Sequence, residues 1–119
     1  KLFEVYFYND KFYSEHIDKD VCFWLEKNTA KFDVVVVPDF GNGFISKGMI
    51  QKLCDNARFL AINTQVNSGN RGYHSINRYP CADFVSLNGP ELRIATHDRH
   101  DSYENLAKTL LDKIGAKRK

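Results

Sequence analysis

Residues 32–39, Phe-Asp-Val-Val-Val-Val-Pro-Asp, constrain the fold more than any other stretch. Four valines in a row, bounded by Asp and Pro, are too short a run for a helix. β-branched side chains favour extended backbone. A strand with no polar alternation is the kind buried on both faces, which implies a parallel sheet covered by helices. The expectation is therefore an α/β chain with three αβα layers and a mostly parallel, Rossmann-like sheet.

The remaining pattern agrees. Residues 2–10 are aromatic and β-branched and end in Asn-Asp, so they read as a strand and a turn. Ser14 caps a helix with Ile17, Val21, Trp24 and Leu25 on one face. After Gly41 and Gly43, helical spacing resumes at Ile45, Met49, Ile50, Leu53, Cys54 and Ala57. Residues 58–65 read as a third strand. A polar loop follows, with a short helix near Tyr73–Arg78, and then a fourth strand over 82–88. Gly89-Pro90-Glu91 opens a helix, with proline where its missing N–H costs nothing. Ser102 opens the last helix, whose face is Tyr103, Leu106, Leu110, Leu111 and Ile114, with Gly115 as its stop. Strands alternating with helices imply right-handed parallel crossovers within one domain over residues 1–119. In such sheets ligands collect at the carboxyl ends of the strands.

Composition excludes more than it selects. The net charge of +2 and the scattered basic residues give no footprint for nucleic acid. No apolar run approaches the ~20 residues of a membrane span, and no signal peptide opens the sequence. Cys22, Cys54 and Cys81 are odd in number and widely spaced. They imply a reducing, cytoplasmic setting rather than a disulfide framework, with Cys22 and Cys54 as buried thiols on apolar helical faces.

Three segments fall at strand ends. Asp39-Phe40-Gly41 is the tripeptide that binds magnesium in protein kinases, but no glycine-rich loop, strand lysine or His-Arg-Asp loop precedes it. A protein kinase is excluded. Asp39 either orients a ligand hydroxyl or caps its own turn, while Gly41 and Gly43 allow close backbone approach. In the second segment Asn63, Gln65, Asn67, Asn70 and Arg71 crowd a long loop, and amides with a guanidinium suit hydroxyls or phosphate oxygens. In the third, Asn88 and Glu91 flank a helix start. They hold a metal-bound phosphate there, or they only cap the helix. His97, Asp98, His100 and Asp101 lie between helices without an apolar anchor and read as a solvated loop.

Taken together, residues 33–53, 61–65 and 82–95 resemble the central part of a ribokinase-like (PfkB) carbohydrate kinase. The heptose-phosphate kinase branch of the bacterial ADP-heptose synthases is the most similar. The likeness runs over roughly residues 2 to 115 and rests on Asp-Phe-Gly-Asn-Gly followed by Asn-Gly-Pro-Glu. It implies transfer of a phosphoryl group from ATP to a sugar or sugar-phosphate hydroxyl. Asn88 and Glu91 would serve the Mg2+ and the phosphates, with Glu91 acting through the metal. Asp39, Gly41, Gly43 and the loop bearing Asn63, Gln65, Asn67, Asn70 and Arg71 would line the substrate cleft. The family's amino-terminal Gly-Gly motif and its carboxy-terminal Gly-x-Gly-Asp, which carries the catalytic base, have no match here. The chain thus reads as an interior piece of such a kinase, inactive alone, whose partners are the sugar and the remainder of its own chain. Self-association through the aromatic strand at 3–8 is a further expectation. The competing expectation is a non-catalytic, flavodoxin-like domain that binds a small ligand or a partner.

Overall fold

The computed structural model describes Phe3, Val5, residues 14–66 and residues 72–115. Within them the order is α1 (Glu15–Asn28), β1 (Val35–Asp39), α2 (Lys47–Asn56), β2 (Leu60–Thr64), β3 (Phe84–Ser86), α3 (Gly89–Thr96) and α4 (Tyr103–Lys113). Single 3-10 turns lie at Thr29–Lys31 and Ile76–Arg78. The fold is α/β with a parallel sheet in the order β1-β2-β3. Of the strand read at residues 2–10 only Phe3 and Val5 are described, both exposed and assigned to no strand; the rest lies outside the described residues.

Side-chain oxygens start the helices. Ser14, Ser46, Asn88 and Ser102 each accept a backbone N–H from the first turn that follows, satisfying a donor that has no partner inside the helix. Gly48 lets α2 approach α1 closely, since a Cβ there would sit 3.1 Å from the Cys22 sulfur.

Register fixes the two faces of the sheet. Val35, Val37 and Asp39 lie opposite Leu60, Ile62 and Thr64, and Val85 lies opposite Ile62. That face meets Ile50, Leu53, Cys54 and Ala57 of α2 and its C-cap, Ala95 of α3, and Leu110 and Ile114 of α4 and its C-cap. Ile76 and Tyr79 fill the remaining space. Burial of this apolar surface, at about 25 cal/mol per Å2, is the main force holding the layers together.

The opposite face corrects the expectation drawn from the valines. Val36 is 66% exposed, and Val34 and Phe84 are also exposed. The run is a strand, as read, but it is buried on one face only. No described helix lies over the other face. Two helical faces are also narrower than their spacing implies. In α4 Leu106 and Leu110 are buried, with Ile114 beyond them, whereas Tyr103 and Leu111 are exposed. In α1 no residue is fully buried, and Ile17 and Trp24 face solvent. Both helices bury only a narrow stripe, which takes fewer positions than the sequence offers. Cys54 is buried and Cys22 half-buried. Among the described residues no helix is long and apolar enough to cross a membrane.

Candidate functional site at the carboxyl rim of the sheet

β1 ends on Asp39, whose side chain is 3% exposed. Its Oδ1 accepts the N–H of Gly41 at 2.9 Å, an Asx turn that bends the chain as it leaves the strand. Its Oδ2 accepts the Tyr79 hydroxyl at 2.8 Å and the Arg78 guanidinium at 3.3 Å. Arg78 also donates to the carbonyl of Ile45. The Asp39 carboxylate and the Arg78 guanidinium together therefore tie both ends of the 40–45 loop to the segment at Arg78–Tyr79. Burial pushes the Tyr79 hydroxyl well above the ordinary phenol range, and the adjacent Asp39 carboxylate pushes it further.

The loop needs its glycines. Gly41 has φ 70° and Gly43 has φ 78°, a region that side chains other than glycine's enter only with strain. Phe40 and Phe44 stand exposed on the loop. His74 lies against Gly43: a Cβ there would meet its ring carbon Cε1 at 3.8 Å. Among the described residues His74 Nδ1 is buried without a hydrogen-bond partner. A buried polar atom left unpaired costs free energy unless something meets it.

At the end of β3 the chain turns into α3. The Asn88 side chain accepts the Glu91 N–H at 2.9 Å, and Glu91 Oε2 accepts the Asn88 N–H at 2.8 Å. This is a capping box with Asn in place of Ser or Thr. Glu91 is 5% exposed, and its Oε1 reaches further, to the N–H of Val66 at 3.2 Å. It thereby fixes the segment leaving β2 against the start of α3, and the exits of β2 and β3 become one unit.

The predicted residues are thus partly gathered. Asp39, Gly41 and Gly43 form one cluster, and Asn88 and Glu91 form another beside Val66. A backbone bond, Gln65 N–H to the Asp39 carbonyl at 2.9 Å, continues the pairing of β1 with the segment after β2. Asn63 stands apart. It projects from the face opposite Asp39 and Thr64 and donates to the Ser86 carbonyl at 2.9 Å. Asn67, Asn70 and Arg71 lie outside the described residues. Residues 97–101 form an exposed turn in which the Asp98 carboxylate accepts the N–H groups of His100 and Asp101. Those two bonds hold its pKa below the usual carboxylate range.

The donor set suits a phosphate-bound Mg2+ in one way. Each Glu91 oxygen already accepts one backbone N–H, Oε2 at the start of α3 and Oε1 from Val66, which leaves its other lone pairs for a ligand. Mg2+ keeps several waters and needs few protein ligands beside phosphate. Glu91 can therefore meet it through water, using its remaining lone pairs.

Sequence reasoning missed Arg78, Tyr79 and His74. Their signal was weak, because the partners of Asp39 lie about forty residues downstream and no local pattern links them. No family model, curated protein or solved structure matches this chain.

Proposed function

We propose that the chain forms the rim of a PfkB-type carbohydrate kinase, where a sugar or sugar phosphate meets the phosphate end of ATP. The observation that carries this reading is the loop after β1. A buried aspartate holds two left-handed glycines open beside His74, whose Nδ1 has no partner among the described residues. Such a loop suits a ligand rich in hydroxyls. Backbone at glycine approaches closely, and an imidazole nitrogen donates or accepts according to its tautomer.

In this reading Asp39 positions the loop and does not contact the reacting atoms. Its two oxygens are engaged by Gly41, Tyr79 and Arg78. His74 orients a sugar hydroxyl. Asn88 and Glu91 fix the start of α3, whose positive dipole end favours phosphate, at the exits of the strands, and Glu91 meets the metal through water. ATP with Mg2+ would supply the phosphoryl group, and catalysis in this reaction class is mainly positioning and charge neutralisation. No described residue is placed as the base that takes the hydroxyl proton, so the chain alone is expected to show no appreciable sugar phosphorylation. The reading is tested by calorimetric titration with ATP, with and without Mg2+. Magnesium-dependent binding that weakens about tenfold in Glu91→Gln, the scale of a lost outer-shell contact, is expected. Equal affinity for both proteins removes Glu91 from the site.

A second reading, a non-catalytic α/β domain, is favoured by one observation: both Glu91 oxygens are used in holding the fold. It predicts no magnesium-dependent nucleotide binding.

A further inference from the structure

The outer side of α3 carries a separate feature. Glu91 and Ala95 turn inward from this helix. Pro90, Arg93, Ile94 and His97 fall on its other side and, with Arg99 and Tyr103, line an open groove of about 620 Å3. Its size lies within the ordinary range of small-molecule sites, roughly 300–1,000 Å3.

The groove is built by specific contacts. Tyr103, at the start of α4, lies over Gly89, where a Cβ would come 2.6 Å from its hydroxyl. Only glycine permits that approach. The Arg93 guanidinium stacks on the Tyr103 ring at 4.7 Å and donates to the Asp101 carbonyl at 3.2 Å. It is thus held at two points with N–H groups to spare. Arg99 enters the same groove, and among the described residues it makes no ion pair or hydrogen bond. The nearby acids do not line the groove. Asp98 and Asp101 accept backbone N–H groups of their own turn, and Asp101 also accepts the Asn105 amide. Two guanidiniums and an imidazole therefore share an apolar floor of Pro90, Ile94 and the Tyr103 ring with no carboxylate in the lining.

We propose that this groove binds a phosphate monoester with a planar ring body. The phosphate lies between Arg93 and Arg99, and the ring lies on Pro90, Ile94 and Tyr103. Guanidinium forks match phosphate oxygens two at a time, and the ring removes exposed apolar surface from water. The site is independent of the kinase reading, because neither Asp39 nor Glu91 belongs to it.

Amide NMR titration with phenyl phosphate, inorganic phosphate and phenol tests it. The expected result is saturable shifts over residues 90–103, with phenyl phosphate bound more tightly than either fragment. Arg99→Gln is expected to weaken binding about tenfold, the scale of one lost charged hydrogen bond. Lys108→Gln on α4, which removes a charge outside the groove, is expected to change nothing. Arg99 is exposed and makes no bond among the described residues, so its variant is expected to keep the native spectrum. The proposal is overturned by shifts centred on residues 40–45, by equal weakening in both variants, by inorganic phosphate binding as tightly as phenyl phosphate, or by no saturation at millimolar ligand.

Discussion

Removing one oxygen atom tests the network at the rim. Tyr79 is 1% exposed, and its hydroxyl donates to Asp39 Oδ2 at 2.8 Å. Tyr79→Phe keeps the ring and its packing. A hydrogen bond to a charged acceptor contributes about 1.5–3 kcal/mol. Arg78 still reaches the same oxygen at 3.3 Å and Gly41 holds the other, so a loss of about 2 kcal/mol is expected at pH 7. With about 2.1 cal/mol/K of unfolding entropy per residue, that lowers Tm by roughly 8 °C. The effect also depends on pH with a definite sign. The unfolded tyrosine titrates near ~10, whereas the native hydroxyl is held well above this, by burial and then by Asp39. Below pH ~10 both states keep the proton and the full difference between wild type and variant is present. Above it the unfolded wild type sheds a proton that the native state retains. Stability then falls with a slope approaching ~1.4 kcal/mol per pH unit, which the Phe variant lacks. The gap between the two proteins should therefore close as pH rises past ~10. Urea unfolding followed by circular dichroism from pH 7 to about 11 measures it. A difference below about 0.5 kcal/mol at pH 7, within the range of an inert surface change, refutes the network argument. A gap that stays constant across the series refutes the assignment of the raised pKa.

Other outcomes follow from the same structure. Gly43→Ala should cost about 1–2 kcal/mol by urea unfolding, because φ is 78° while the added Cβ meets only an ordinary contact at 3.8 Å. Asn88→Ala should cost about 1 kcal/mol through loss of the cap on Glu91 N–H, and Asn88→Asp should restore most of it. The Cys22 thiol is raised by burial and then by the Asp18 carboxylate. It should react slowly with iodoacetamide near neutral pH, and Asp18→Asn should speed the reaction.

How much of this was legible depends on how far apart the partners are. Ser14, Asn88 and Ser102 were readable as caps because a cap acts within three residues. The valine run gave its strand, since β-branching acts locally. It did not reveal that Val36 faces outward, because an apolar side chain reads the same whether or not another layer meets it. The rim was half legible. Asp39, Gly41 and Gly43 stand together in the chain. Arg78, Tyr79 and His74 reach them only through the crossover from β2 to β3. Asn63 was misleading, since strand parity places it on the face away from Asp39. Glu91 was read as a metal residue or a cap. Its reach to Val66 could not be seen, because that bond spans two strand ends.

The proposed role has the carboxyl rim of this sheet receive a nucleotide's phosphates and a sugar. Amide NMR titration of the chain with ATP and Mg2+ tests it most directly. Magnesium-dependent shifts at Gly41–Phe44, Val66 and Asn88–Glu91 are expected. Shifts that ignore magnesium, or that leave all three segments unmoved, contradict it.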